Sequence, residues 1–199
     1  MSSWVRQHQT FSFLMLAGVL ALLAGWHKNR PSDQPASTAI PVIPGGPELA
    51  EFSPPDGKFS IYLPGQPQPD ESSIIANRDG AANSHSYITS YRQDGFLFFL
   101  SYQDYPEDYL KLNGPKKILA AQEESLLLQK EVTFKQRKSI TLNKTIPGKE
   151  YQYGAQGWGL FVQRYYLAEQ RLYSLAAVGI YGVTPTYIYT IFDSFKLKD

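Results

Sequence analysis

The sequence of 199 residues contains no cysteine and only three histidines. Without cysteine, the chain cannot form disulfide bonds, thiolate nucleophiles, iron–sulfur clusters or cysteine-ligated zinc sites. Two of the histidines, His8 and His27, flank the first hydrophobic segment, so His85 is the one in the region that we expect to fold. A zinc site of nitrogen and sulfur ligands therefore lacks its donors, whereas oxygen-ligated calcium or magnesium stays open.

An excess of charge of either sign is also missing. The 19 basic residues include Arg6, Lys28 and Arg30, and the 18 acidic residues include Asp33 and Glu48, which leaves 16 of each after residue 50. A nucleic-acid-binding domain normally carries a clear cationic excess. The balance therefore predicts no nucleic-acid partner.

The N-terminal 28 residues are dominated by an uncharged hydrophobic run, Phe11–Trp26. The run is short for a spanning helix of roughly 17–25 residues, and close to or slightly longer than a signal-peptide core of ~7–15 residues. Trp26 stands where a lipoprotein would have its lipid-bearing cysteine, which excludes that modification. We favour an uncleaved signal-anchor, residues 1–28, that contacts the membrane through residues 11–26 and leaves the following domain on the extracytoplasmic side. A cleaved signal is the alternative.

A proline-rich stretch, residues 29–55, follows the hydrophobic run. Proline removes backbone donors and favours extended coil, so this stretch predicts a semi-rigid linker. The remaining residues, 56–199, are expected to form one α+β domain.

Alternating apolar and polar residues predict strands at Lys58–Leu63, His85–Arg92 and Phe96–Tyr102, with a surface loop over residues 66–83. Asp94-Gly95 between the last two strands is a hairpin signal. Because Phe96–Leu100 is apolar at every position, its strand should be central and covered on both faces.

The apolar period becomes helical within Lys116–Gln129, where Asn113-Gly114-Pro115 marks the start of a helix. Four β-like runs follow, at Thr133–Leu142, Lys149–Tyr153, Gly159–Leu167 and Arg171–Gly179. Short connections at Pro147-Gly148, Gly154–Gly157 and Glu169-Gln170 predict an antiparallel meander. A closing helix should begin at Thr184-Pro185, because Ile188, Ile191, Phe192 and Phe195 recur behind it at helical spacing. The pattern as a whole predicts about seven antiparallel strands and two main helices.

Several short motifs resemble a known group of domains. Asp56–Pro67 reads DGKFSIYLPGQP, and further matches are Ser101–Pro106, Pro147–Tyr151 and Phe192–Leu197. These features are similar to the PsbP-like superfamily, which includes DcrB-like proteins of the bacterial envelope. The resemblance implies a sheet of about six to seven antiparallel strands flanked by helices, an α/β/α sandwich, and an accessory or assembly role at a membrane. No binding residue is carried over from that superfamily.

Candidate catalytic residues are few. His85 lies between two serines, but the sequence has no G-x-S-x-G elbow to activate one. Glu123 and Glu124 are neighbours on the predicted helix, so their side chains point about 100° apart. We therefore predict no catalytic residue, no cofactor and no enzymatic activity.

An acidic loop, Asp104, Glu107 and Asp108 around Pro106, is the candidate metal site. It could hold a calcium ion weakly, but it lacks the D-x-D-x-D-G regularity of dedicated calcium loops. Solvated carboxylates are the favoured interpretation, and we predict no metal site.

Candidate partner-contact residues lie in the second half of the chain. Six basic residues and one acidic residue fall between Lys130 and Lys149, and a count by twos along the strand puts Lys135 and Arg137 on one face. Charge that protects an edge strand from aggregation is the favoured interpretation, and contact with anionic lipid or an acidic partner is the alternative. Trp158, on a glycine-rich turn, is a third candidate, with core packing as its alternative.

The sequence thus predicts a non-catalytic, membrane-tethered binding or assembly domain on the extracytoplasmic side, with a protein partner in a membrane-associated complex. The alternative is a carrier of a small ligand or lipid, with its pocket between the sheet and a helix.

Overall fold

The computed structural model describes residues 43, 46–69, 84–91, 95–128, 132–155, 159–179 and 186–198. The signal-anchor, most of the predicted linker, Trp158 and the Thr184-Pro185 pair lie outside the described residues. No helix within the described ranges is long and apolar enough to cross a bilayer.

Seven antiparallel strands form the large sheet, in the spatial order β3-β4-β5-β9-β8-β7-β6. Their bounds are β3 Gln68–Pro69, β4 Ser84–Tyr91, β5 Phe96–Asp104, β6 Val132–Leu142, β7 Ile146–Ala155, β8 Gly159–Ala168 and β9 Arg171–Gly179. The predicted hairpin is confirmed, since Tyr91 pairs with Phe96. The predicted meander is confirmed as well, because β6 to β9 are neighbours in chain order.

A second sheet of three strands was not predicted. It contains β1 Leu49–Phe52, β2 Phe59–Pro64 and β10 Lys196–Leu197, with β2 in the centre. The predicted linker therefore ends too late, because Leu49 is fully buried and Phe52 packs against Phe59. The first predicted strand exists, but it belongs to this small sheet. The α+β class is confirmed, and the single-sheet arrangement is corrected to two sheets.

Strand β5 lies inside the large sheet, between β4 and β9, and is covered on both faces, as predicted. Phe96, Phe98 and Leu100 point to the face covered by the small sheet and by helix α2, Tyr187–Asp193. Leu97 and Phe99 point to the opposite face, which is covered by helix α1, Glu107–Leu127. The closing helix is confirmed within its described part, since Ile188, Ile191 and Phe192, with Phe195 behind them, are all buried.

Helix α1 begins earlier than predicted and is interrupted at the predicted start. Gly114 has φ 68° and ψ 160°, a conformation that L side chains rarely adopt, and Pro115 begins the second helical segment. Glu107 and Asp108 lie in the first turn of the first segment, where carboxylates interact favourably with the helix dipole. The predicted acidic loop is therefore in part helical.

The turn between β6 and β7 also differs from the prediction. The chain reverses at Asn143 and Lys144, which have φ values of 51° and 66°, and Pro147 and Gly148 lie inside β7. Gly148 is needed there for steric reasons, because a Cβ would lie 2.5 Å from the Tyr166 ring and 2.6 Å from the Tyr165 carbonyl oxygen. The Pro147-Gly148 motif thus serves strand packing.

Candidate functional site

His85 lies on β4 at an exposed position and stacks against the ring of Tyr102 on β5, with 4.9 Å between the ring centroids. The two residues are cross-strand partners, which explains the stacking. The Tyr102 ring also lies 4.1 Å from the guanidinium carbon of Arg171 on β9. The imidazole is thus the outer member of an aromatic and cationic stack.

Arg171 binds two carboxylates at the end of the large sheet where β9 begins, those of Asp104 and Asp56. Its Nε and Nη2 donate to the two oxygens of Asp104 at 2.5 and 2.8 Å, and its Nη1 donates to Asp56 in the turn that follows β1. The guanidinium therefore joins the Asp56-Gly57 turn to the large sheet. It also occupies the carboxylate of Asp104, one of the three acids of the candidate metal site.

Glu107, a second acid of that candidate site, has a different partner from Asp104. Glu107 forms an ion pair with Lys111 one helical turn later, at 2.7 Å. Within the ranges that the structure describes, no group of three or more His, Asp or Glu side chains is arranged to hold a metal ion.

Glu123 and Glu124 differ in burial, as adjacent residues on a helix should. Glu124 is exposed, whereas Glu123 is half-buried and accepts from Arg137 at 3.0 Å and from the Tyr151 hydroxyl at 3.3 Å. This contact links helix α1 to strand β6.

Strand β6 is one edge of the large sheet, as the favoured interpretation of its charges requires. A β-bulge lies between Phe134 and Gln136, so Lys135 is the extra residue without a cross-strand partner. Residues on the two sides of the bulge therefore no longer follow the simple alternation between the two faces of the sheet. Phe134 and Arg137, three positions apart, share a face, because the guanidinium carbon lies 4.2 Å from the Phe134 ring centroid.

We call Lys135, Arg137, Lys138, Lys144 and Lys149 the basic edge; they lie on β6, on the turn after it and at the start of β7. Lys135 and Lys144 are exposed and form no ion pair with any described residue. Lys149 donates to the Ser139 hydroxyl at 3.0 Å. Arg137 and Lys138 have carboxylate partners, yet 47% and 43% of their side-chain surface stays exposed.

Behind the basic edge lies a buried charge network that the sequence did not predict. Arg164 on β8 donates through Nε to Glu150 at 2.7 Å and through Nη1 to Asp193 of α2 at 2.6 Å. Lys138 approaches the second Glu150 oxygen at 2.9 Å without hydrogen-bonding alignment. Burial opposes the charged form of Arg164 and so lowers its pKa. The hydrogen bonds that Arg164 donates to Asp193 and Glu150 together have the larger effect, and the pKa lies above the ordinary value. Lys138, Glu150 and Arg164 are successive cross-strand partners, so the network follows one row of the sheet inward from its edge.

The described side chains between the large sheet and its covering layers are mainly aliphatic and aromatic. A shallow depression lined by Ile61, Leu63, Tyr87 and Phe192, among others, has no room for a water molecule. On the α1 face, the rings of Tyr153 and Phe161 stack with their centroids 5.0 Å apart.

The comparison with solved structures agrees with this architecture. No protein-family model matches the chain, and no curated protein matches its sequence. Among solved structures, the fold is similar to the solution structure of cyanobacterial PsbP (CyanoP) from Synechocystis sp. PCC 6803, with a TM-score of 0.52 and 9% sequence identity. The match covers 84% of this chain and 98% of that chain. The fold is therefore PsbP-like, and the function has to be argued from this chain's own surface.

Proposed function

We propose that this chain is a non-catalytic binding or assembly domain of the bacterial envelope, tethered to a membrane by residues 11–26 and facing the extracytoplasmic side. Its task is to hold a protein partner in a membrane-associated complex. The observation that carries the proposal is the contrast between the buried Arg164 and Arg171, each bound by two carboxylates, and the basic edge, where Lys135 and Lys144 are exposed and form no ion pair with a described residue.

The paired charges argue against catalysis at those positions. Arg171 holds two carboxylates and Arg164 holds two more, so these groups stabilise the fold. A catalytic acid or base has to be within reach of a substrate proton and tuned to the working pH. His85 is exposed and stacked on one side by Tyr102, which is compatible with a structural role.

The unpaired charges argue for binding. Lys135 and Lys144 stand on the edge of the sheet with no carboxylate of the described residues to neutralise them. Exposed cations along one strand attract acidic surfaces and steer their approach. Among the described residues, the depression lined by Ile61, Leu63, Tyr87 and Phe192 has no room for a water molecule. A carrier needs an apolar pocket of about 300–1,000 Å³ for its ligand, so this depression supports a binding surface over a carrier.

Affinity capture of the full-length chain from detergent-solubilised native membranes tests the proposal. The expected result is a stable complex of the intact chain with a membrane-associated protein, identified by mass spectrometry and lost when the basic edge is neutralised. An N-terminally trimmed chain that elutes alone with a bound small molecule would contradict it and favour the carrier.

A further inference from the structure

We propose that β6 accepts an extended, acidic segment of a partner polypeptide as an eighth strand of the large sheet. The inference rests on the proposed function and specifies how the partner binds. Main-chain hydrogen bonds would supply the contact, and side chains on the added strand would supply the selectivity.

The two edges of the large sheet are built differently. Within the described residues, the edge strand β3 pairs with β4 through two residues, and one of them, Pro69, has no backbone N–H to donate. The β6 edge has 11 residues and no proline. Beyond the bulge at Lys135, seven consecutive residues from Gln136 to Leu142 pair with β7 in unbroken register. This stretch presents a regular row of outward backbone groups, which is a template for a further strand.

The charges on this stretch select the partner. Arg137 uses one guanidinium nitrogen on Glu123, and Lys138 approaches one oxygen of Glu150, so both cations keep further donors toward solvent. Every charged residue from Val132 to Lys149 is basic. Carboxylates on an added strand would therefore meet no acidic residue of β6 itself.

The two faces of β6 specify where those carboxylates fall. Arg137 lies toward helix α1, through its bond to Glu123, whereas Lys138 lies toward the buried network of Arg164. On the Lys138 face, Ile140 and Leu142 are half-buried against the core. An antiparallel partner strand should therefore place apolar residues opposite Leu142 and Ile140, and acidic residues opposite Lys138 and Arg137.

The same charges disfavour a second copy of this chain as the occupant. An antiparallel pair of β6 strands centred on Arg137 and Lys138 would bring these residues of each copy near those of the other, and in any register the two strands would carry only basic charges side by side. Like charges in directly opposed positions destabilise a sheet. An acidic segment of a different protein is the occupant that the charges favour.

The test uses the full-length chain in neutral detergent and a fluorescent peptide, Val-Thr-Val-Thr-Glu-Glu-Thr, that follows this pattern from its amino end. Two isomers carry N-methyl groups on alternate residues, at positions 2 and 4 or at positions 3 and 5. Successive residues of a strand direct their N–H groups to opposite edges, so positions 2 and 4 share one edge and positions 3 and 5 share the other. One isomer should therefore bind more than about tenfold more weakly, because its hydrogen bonds to β6 are removed, while the other binds nearly as well as the parent. Equal binding of both isomers in fluorescence anisotropy would overturn the proposal in favour of a purely ionic contact.

Variants of the chain test whether the side chains of Arg137 and Lys138 contribute to peptide binding. The double variant Arg137→Gln/Lys138→Gln should weaken peptide binding by about tenfold, because two opposite-charge pairs are lost. The control Lys116→Gln/Lys196→Gln removes two exposed cations elsewhere and should leave binding unchanged. Circular dichroism of each variant establishes that it is folded, and the N-methyl isomers decide the question on the unaltered chain.

The remaining outcomes separate this inference from the proposed function. If no peptide binds while a membrane partner is still captured, strand addition is wrong and the proposed function stands. If no peptide binds and the Arg137→Gln/Lys138→Gln variant instead loses retention by micelles containing phosphatidylglycerol, the basic edge contacts anionic lipid and strand addition is wrong.

Discussion

Cations in the middle of the large sheet and cations on its edge have different environments. Arg164 and Arg171 lie on the adjacent strands β8 and β9, each with a side chain that is 10% exposed and bound by two carboxylates. Lys135 and Lys144 are exposed at β6 and its turn, and form no ion pair with a described residue. The difference follows from desolvation, because a buried charge must be paired, whereas an exposed charge is hydrated and remains available. Stability should therefore depend on the first pair of residues and binding on the second.

The largest effect is expected for Arg164→Met. The substitution leaves Glu150, whose side chain is 1% exposed, with Lys138 as its remaining cationic partner. Breaking a buried ion pair on one side typically costs about 3–5 kcal/mol of unfolding free energy. Urea unfolding of the full-length chain in detergent should show a loss in this range.

The matched control is Lys138→Met, which removes the edge cation from the same carboxylate. Because Lys138 is half-exposed and Arg164 still binds Glu150, the loss should stay below about 1 kcal/mol. If Arg164→Met and Lys138→Met lowered the free energy of unfolding equally, burial of the cation would not explain its contribution to stability.

A smaller loss, about 2–3 kcal/mol, is expected for Arg171→Met. Its two carboxylate partners, Asp56 and Asp104, are about one-third exposed, so water compensates part of the lost pairing. The variant should also loosen the small sheet, because Arg171 joins the turn after β1 to β9. Hydrogen exchange of β2 amides measures that loosening.

The Arg171 contribution should depend on pH. Burial alone would raise the pKa of Asp56, but the hydrogen bond from Arg171, supported by the Lys58 backbone N–H, lowers it below the ordinary value of 3.8. A depressed pKa contributes stability that is present above pH 3.8 and lost as the pH falls through the folded-state pKa. The gap in stability between the unaltered chain and Arg171→Met should therefore narrow in acid. A gap that is constant down to pH 2 would exclude the ionic explanation.

These two arginines also mark the limit of the sequence prediction. The hairpin, the meander and the closing helix follow from apolar periods and short turns, which are local signals. Arg164 stands in the apolar run of β8, but its partners Glu150 and Asp193 are 14 and 29 residues away, so no local signal identifies them. An arginine inside a mostly apolar strand still indicates a carboxylate partner elsewhere in the fold, because arginine is rarely buried unless it is paired.

Two other limits of the sequence prediction have local causes. Prolines surround Leu49–Phe52, so the composition predicts a linker where the structure has strand β1. Its partner β2 alternates like the strands of the large sheet, so alternation alone does not predict a second sheet. A count by twos does not hold across the β-bulge between Phe134 and Gln136, so it does not establish that Lys135 and Arg137 share a face, and no residue type in the sequence indicates the bulge. Trp158 lies outside the described residues, so its role stays a prediction.

Tyr105 offers an exception to the rule that buried polar groups are paired. It is 4% exposed, it stacks on Tyr109, and its hydroxyl has no hydrogen-bond partner among the described residues. Removing an unsatisfied hydroxyl by Tyr105→Phe should stabilise the fold by about 1 kcal/mol near neutral pH. A destabilised variant in urea unfolding would show that the hydroxyl is satisfied after all.

The same substitution predicts a change in alkali. Burial, with Tyr109 and Tyr165 nearby, raises the pKa of Tyr105 above its ordinary value of 10.0. Because Tyr105 ionises more readily in the unfolded chain than in the folded chain, its ionisation favours unfolding. The free energy of unfolding is therefore unaffected by this group below pH 10 and decreases as the pH rises toward the folded-state pKa. Tyr105→Phe should therefore unfold at a higher pH than the unaltered chain in an alkaline titration followed by circular dichroism.

The smallest effect on stability, and a large effect on binding, is expected for Lys135→Gln/Lys144→Gln. Exposed substitutions away from packed features change the free energy of unfolding by about 0.5 kcal/mol or less. Both lysines lack an ionic partner among the described residues, so their charge is available to an acidic surface. Capture of the membrane partner should become weaker and less sensitive to potassium chloride, because fewer exposed charges are left to screen. The control Lys116→Gln/Lys196→Gln has the same change in net charge, so equal losses in both variants would reveal a general charge effect and contradict a specific role for the basic edge.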